Sequence, residues 1–180
     1  MANDITKNPI YIEAATIGVI TTKPLWIKKL LLVPNAAADA ATLKYWIEYP
    51  GKERVHQKSV TASGTDSNTL TSTGNFEATT EAVVTDAIHI YESSTGNNIG
   101  TWEIAVRSSN NAIDVLPATL TTESDKVYSW KVYASYPLAT MKSQATNLLN
   151  YELDFGPRGL YVPNLMVTAM STSSVLYIYL

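Results

Sequence analysis

The chain of 180 residues has no cysteine. That excludes a disulfide scaffold, a thiolate metal site and a cysteine nucleophile together, and leaves the compartment open. Charge is also scarce: Asp, Glu, Lys and Arg make up 16% of residues against 46% hydrophobic ones, a balance that argues against disorder and implies a thinly charged surface. The net charge of -3 and a pI near 5.3 give no electrostatic footprint for nucleic acid. Long apolar runs are missing. The longest aliphatic cluster, Leu30-Leu31-Leu32-Val33, stops at Pro34, far short of the ~20 residues a membrane helix needs. Met1 to Pro9 lacks a basic stretch followed by an apolar one, so synthesis in the cytoplasm without an export signal, and no membrane association, is the expectation.

Enzyme signatures are absent in the same way. There is no Gly-rich phosphate loop, no G-x-S-x-G elbow and no H-E-x-x-H helix. Only His56 and His89 could serve a triad, and His89 falls on the strand face opposite Ile88 and Ile90. Glu152 and Asp154 read as two solvent-facing acids on one strand rather than a hydrolytic pair, which normally faces across a groove. Asp66, Asp86, Asp114 and Asp125 are scattered, not spaced as a calcium loop. No enzymatic activity, cofactor or metal is expected.

What is present is alternation. Trp102, Ile104 and Val106 face one way and Glu103 and Arg107 the other; Leu43, Tyr45, Ile47 and Tyr49 alternate with Thr42, Lys44, Trp46 and Glu48. Tyr128, Trp130 and Val132 alternate with Ser129 and Lys131, and Tyr151, Leu153 and Phe155 with Glu152 and Asp154. Ser and Thr supply roughly a fifth of the chain, as suits a hydroxyl-studded β protein. Residues 87–107 read as a hairpin around Ser93 to Asn98, whose Gly96 and asparagines tolerate positive φ. Trp26 to Val33, apolar on both faces at its distal end, reads as one central strand. A helical spacing of Leu138, Met141, Ala145 and Leu148 predicts at most one short helix over 138–149. Residues 59–80, crowded with Ser, Thr and Gly, read as a long exposed loop or arm.

The closing run Val175-Leu176-Tyr177-Ile178-Tyr179-Leu180 is too apolar to fray in water. Sandwiched inside a sheet it is stable, and Pro9-Ile10-Tyr11-Ile12-Glu13 is its natural neighbour. The expected fold is therefore all-β: an antiparallel sandwich or jelly-roll-like core from 1–49 plus 150–180, holding both terminal strands, with 50–149 as a β-rich inserted elaboration.

The sequence Asn8-Pro9-Ile10-Tyr11-Ile12, the strand Ile27 to Val33 leading into Ala36-Ala37-Ala38-Asp39, and the ending Gly159-Leu160-Tyr161-Val162-Pro163 followed by Val175 to Leu180 resemble a family of small tailed-phage virion proteins. Members commonly open on NPIYI and close on a GL.VP segment and a VYVYL-like strand. The resemblance covers about 8–49 and 150–180; residues 50–149 have no counterpart in the short members. It implies a head decoration or cement protein on the virion surface, commonly a homotrimer, bound to the major capsid protein.

Such a protein works by burying surface, so it needs aromatic anchors and edges more than a cleft. The chain has 11 Tyr and 4 Trp against 2 Phe, the amphipathic kind of aromatic favoured where one end is buried and the other meets a partner. Tyr11, Trp26, Tyr177 and Tyr179, with the basic residues Lys28, Lys29, Arg54 and Arg158, form the expected interface set. Lys52 and Lys58 flank Arg54 after the Pro50-Gly51 turn, and Arg158 sits on the Gly156-Pro157-Arg158-Gly159 tip. The competing expectation is a tail- or fibre-associated module that stacks sugars on aligned aromatics.

Overall fold

The computed structural model describes residues 6–49, 53–77, 81–144 and 148–180. Strands dominate throughout. The chain first lays down β1 (Ile10–Glu13), a single 3-10 turn at Ala14–Thr16, β2 (Gly18–Thr21), β3 (Leu25–Ile27), β4 (Lys29–Val33) and β5 (Ala40–Trp46). It continues through β6 (Glu53–Gly64), β7 (Thr69–Thr71), β8 (Ala87–Ser93), β9 (Gly100–Ser109), β10 (Ala112–Leu116) and β11 (Glu123–Tyr133). It returns with β12 (Ser135–Lys142), β13 (Tyr151–Asp154), β14 (Leu160–Val162), β15 (Leu165–Met170) and β16 (Val175–Tyr179). Two compact units result, Met1–Tyr45 with Tyr136–Leu180, and Trp46–Ser135. The divisions fall at 45/46 and 135/136 rather than at 49/50 and 149/150.

The first unit is built from a four-stranded sheet in the order β1-β16-β4-β13, a second in the order β12-β5-β15-β2, and the pair β14-β3. The terminal strands meet as expected, with Ile10 opposite Ile178 and Ile12 opposite Leu176. Alternation then buries one face: Ile10, Ile12, Leu30, Leu32, Leu176 and Ile178 are all fully enclosed, together with Leu43, Met141 and Val167. At ~1.5–3 kcal/mol for each large aliphatic side chain, this layer explains why the last strand does not fray.

The second unit is a closed barrel, β10-β7-β6-β11-β8-β9, with antiparallel neighbours. Closure removes exposed strand edges. Its interior holds Trp130, Tyr128, Phe76, Leu70, Ile88, Ile90, Trp102, Ile104 and Ile113. The 87–107 hairpin is present as β8 paired with β9, Ile88 opposite Trp102.

Several expectations are corrected. Segment 59–80 is not a free loop: Ser59 to Gly64 complete β6 and Thr69–Thr71 form β7, joined by a turn in which the Asp66 carboxylate accepts the Asn68 and Thr69 N–H groups at 2.9 and 2.7 Å. Inward positions on this wall are Ala62 and Gly64, so the strand carries almost no hydrophobic signal; a Cβ at Gly64 would lie 2.6 Å from the Thr121 carbonyl oxygen. Residues 78–80 lie outside the described residues.

The helix expected at 138–149 is replaced by strand β12, where Met141 is buried in the first core; residues 145–147 lie outside the described part. The sheet order puts β12 at an edge, which is where a strand tolerates Pro137 without losing a ladder bond. Trp26 to Val33 is two strands, not one. The chain breaks at Lys28, whose N–H donates to the Tyr179 carbonyl and whose own carbonyl accepts the Phe155 N–H, both at 2.8 Å. Only β4 is central, between β16 and β13.

Two faces also differ. Trp46, expected outward with Lys44, is fully buried and donates its indole N–H to Glu48 Oε1 at 2.8 Å. Glu103 is buried and Val106 is 49% exposed, the reverse of simple alternation. The register shift between Asp114 and Val115, which skips Ala105, flips the side-chain phase after Ile104 and turns Val106 outward; Glu103 precedes it and stays on the face opposite Trp102 and Ile104, where it is nonetheless buried.

Candidate functional site

Among the described residues, one sheet face of the first unit is half-buried to exposed. Opposite the buried Ile/Leu face of β1-β16-β4-β13, the registers align Tyr11, Tyr177, Leu31 and Glu152 in one row across four strands. Neighbouring rows carry Tyr179, Lys29 and Asp154 on one side and Glu13, Val175 and Val33 on the other. Because successive side chains alternate, the apolar inner row forces this aromatic and aliphatic row outward.

The outer side chains are locked together. Tyr11 and Tyr177 meet edge to face, centroids 5.5 Å apart at 68°, and the Tyr11 hydroxyl donates to Glu13 Oε1 at 2.6 Å. That hydrogen bond to a carboxylate, followed by burial and the Glu13 charge, raises the Tyr11 phenol above its ordinary value. Lys29 stands 4.6 Å over the Tyr179 ring and 3.5 Å from Glu152. The result is a platform of rings and branched chains with both charge signs fixed on it, bordered by an open groove of about 390 Å³ between Lys28, Lys29, Asp154 and Tyr179.

A buried carboxylate secures the loops at one end of this sheet. Asp39 Oδ2 accepts the N–H groups of Asn35 and Ala36, each at 2.8 Å, and the Ser174 hydroxyl at 2.7 Å. Ser174 directly precedes β16 and Asp39 precedes β5, so one side chain ties the β4–β5 loop to the turn before the last strand. The Ser174 hydrogen bond first, then the amides, hold the carboxyl below its ordinary value against the opposing effect of burial. A depressed carboxyl stabilises the fold above its unfolded pKa of ~3.9, and that contribution disappears as pH falls through the folded value. Asp39→Ala is therefore expected to lower stability by about 2–3 kcal/mol at neutral pH, with the deficit shrinking below pH ~4. Denaturant melts of both proteins across that range check it; a pH-independent difference would refute the assignment.

The other expected residues are distributed unevenly. Trp26 is 58% exposed and meets Tyr161, 51% exposed, across the β3–β14 pair with centroids 5.3 Å apart at 62°. Lys28 is exposed and reaches the Leu180 carbonyl oxygen at 3.3 Å. Arg158 is exposed at its turn tip. Arg54 does not belong with them: it lies in the barrel unit and is ion-paired to Asp86, which is buried and also accepts the Ser135 N–H at 2.9 Å. Lys58 is likewise paired, with Glu81 at 2.6 Å, and Lys52 lies outside the described residues. Tyr161, Leu31, Val33 and Val175 are the surface residues that sequence reasoning missed; Tyr161 was legible from its alternation with Leu160 and Val162.

Titratable groups do not converge. His89 Nδ1 lies 2.8 Å from the Thr101 hydroxyl on the outside of the β8–β9 hairpin, and the His56 side chain lies outside the described part. Asp154 accepts the Gly156 N–H at 2.6 Å and holds a turn. In the barrel, burial alone would raise Glu123, but hydrogen bonds from Tyr128, Thr95, Asn97 and Asn98 outweigh it and keep the carboxyl low. Burial and the bond to Glu123 push Tyr128 up to about 12. Among the described residues no three His, Asp or Glu side chains stand close enough to hold a metal ion, and no helix is long and apolar enough to cross a membrane.

An open groove of about 560 Å³ on the barrel is lined by Thr61, Ser63, Thr71, Ser72, Asn75 and Asn111, with small apolar residues and no ring. Two of its polar side chains are spent internally, Ser72 donating to the Thr61 carbonyl at 2.6 Å and Asn111 Oδ1 accepting the Gly74 N–H at 2.7 Å, while Asp125 also lines it. Comparison of the chain with protein-family models, curated proteins and solved structures finds no match in any of the three. The functional reading therefore rests on the surfaces described above.

Proposed function

We propose that this chain is a capsid decoration, or cement, protein of a tailed phage, carried on the head surface as a homo-oligomer, a trimer in the form favoured, and bound to the major capsid protein. The observation that carries the reading is the half-buried to exposed outer face of β1-β16-β4-β13, where Tyr11, Tyr177, Tyr179 and Leu31 form a preorganised platform. Surfaces with Tyr anchors and a charged fringe suit a protein partner, and rings already fixed against each other lose little freedom on binding. Of the segments that resemble small virion proteins, those at Ile10–Ile12, Lys29–Val33 and Val175–Tyr179 form β1, β4 and β16 of this sheet.

The tail-associated, sugar-stacking alternative is less well supported. Stacking needs open ring faces along a groove, whereas the exposed ring pairs meet edge to face and the barrel groove contains no aromatic. Add-back to heads assembled without the protein tests the proposal. Purified protein is expected to bind saturably and raise the temperature at which heads rupture, and Tyr11→Ser with Tyr177→Ser is expected to weaken binding about tenfold or more while the melting curve stays cooperative. No binding to heads, or equal binding by the double variant, would overturn it.

A further inference from the structure

The 13 basic and 16 acidic residues are not evenly shared between the two units. The first unit has seven Lys and Arg against five Asp and Glu, net +2; the second has six against eleven, net -5. Each unit also concentrates its excess.

In the first unit, the β3–β14 pair presents Trp26 and Tyr161 side by side on its open face, with Lys28 two residues along from Trp26. The turn 156–159 closes over the same strand: a Cβ at Gly159 would stand 3.0 Å from the Ile27 carbonyl oxygen and 3.5 Å from Lys28 Cγ, and its φ is +69°. Only glycine fits there, and the close approach sets Arg158 at the tip of a turn that abuts Ile27 and Lys28. The neighbouring acid, Asp154, accepts the Gly156 N–H through Oδ1 at 2.6 Å and keeps its charge beside this turn, so the patch carries two cations against one acid. Two half-exposed rings bordered by two cations are the composition of a binding hot spot for an acidic protein surface.

In the second unit, acids gather where β6 ends and β11 begins. Glu123 is paired in register with Gly64, the Asp125 N–H is held by the Ser63 hydroxyl at 2.8 Å, and Asp66 and Asp114 share the Thr69 hydroxyl at 3.2 and 2.9 Å. None of these four carboxylates is ion-paired among the described residues, whereas Asp86 and Glu81 are neutralised by Arg54 and Lys58. With Lys126 following Asp125 on the same strand, this rim carries four acids against one nearby cation and is net negative.

We infer that the Trp26–Tyr161 patch with Lys28 and Arg158 docks on the acidic barrel rim of a second copy of this chain. The inference rests on the self-association part of the proposal above and names its surfaces. The two surfaces differ, so the contact pairs unlike patches; repeated head to tail it closes as a ring, and the trimer favoured above is one such closure. The charges set orientation and salt dependence, and the rings supply the desolvated centre.

Solution mass by light scattering at low and high salt tests it. The wild type is expected above monomer mass at low salt, falling toward monomer as salt rises. Lys28→Glu with Arg158→Glu, and separately Trp26→Ser with Tyr161→Ser, are expected to weaken association about tenfold or more while melting stays cooperative; Arg158→Glu alone, which spares the Lys28 contact to the Leu180 carbonyl oxygen, is expected to weaken association with melting unchanged. Asp125→Lys, at an exposed position, is expected to weaken self-association likewise and to restore it when mixed with the Lys28→Glu, Arg158→Glu chain. A wild type that stays monomeric at micromolar concentration and low salt would overturn both this contact and the oligomer. An oligomer indifferent to all these substitutions would overturn the contact alone. A patch variant that self-associates normally yet no longer binds heads would assign the patch to the shell and equally overturn the second-copy contact. Head labelling decides the virion role separately.

Discussion

Deleting Val175 to Leu180 is expected to leave no soluble, cooperatively folding first unit. Strand β16 is not an ornament on a sheet edge; it lies between β1 and β4, with Ile10, Tyr11, Ile12 and Glu13 registered on one side and Lys29 to Val33 on the other. Removing it orphans the backbone of both neighbours and exposes Ile12, Leu30 and Leu32, which were fully enclosed beside Leu176 and Ile178. The loss exceeds any single truncation in the same layer, for which Leu176→Ala sets a scale of about 2–5 kcal/mol. Because native stabilities are only about 5–15 kcal/mol, the deletion crosses the threshold and Leu176→Ala does not. Expression with fractionation, followed by near-ultraviolet dichroism of any soluble product, decides it. A soluble truncation with a native-like spectrum would refute the central position of β16.

In the barrel the largest single-residue effect is expected at Trp130. This indole is 1% exposed on β11, the strand between β6 and β8, and stacks on Phe76 with centroids 5.5 Å apart at 14°. Trp130→Ala removes the ring and leaves a cavity that a closed barrel cannot easily collapse, because its wall is fixed by hydrogen bonds on both sides of every strand. The expected loss is about 3–5 kcal/mol, which for a unit of this size lowers the melting temperature by roughly 15–30 °C. Trp26→Ala, on an exposed ring, is the internal control and is expected to shift the melt by less than about 1 kcal/mol. Thermal melts of the two variants side by side check the contrast. Equal shifts would mean that the barrel interior is not where the structure puts it.

How much of this was legible follows from where the hydrophobic pattern is dense. Ile10, Ile12, Leu176 and Ile178 alternate strictly with polar or aromatic neighbours, so the pairing of the two chain ends can be read without a structure. The barrel could not be. Its inward positions on β6 include Ala62 and Gly64, chosen for room rather than for burial of large side chains, and its outward ones are Ser and Thr, so the strand imitates a loop. The bulges between β9 and β10 reverse the phase after Ile104 and turn Val106 outward, an effect no period-two reading anticipates.

The surface residues divide in the same manner. Tyr11, Tyr177 and Tyr179 were visible because their strands were. Arg54 read as an unpaired cation because its partner Asp86 is 32 residues away in sequence. The break at Lys28 depends on Tyr179 and Phe155, both distant in the chain, and with it the separation of Trp26 from the β1-β16-β4-β13 face. Local pattern thus located the platform, while its boundaries are set by long-range hydrogen bonds.

The most direct test of the virion role is immunogold labelling of intact virions from the source with an antibody against this protein, viewed by electron microscopy. A decoration protein is predicted to place label over the whole head. Label confined to the tail, or no label on virions at all, would contradict the proposal.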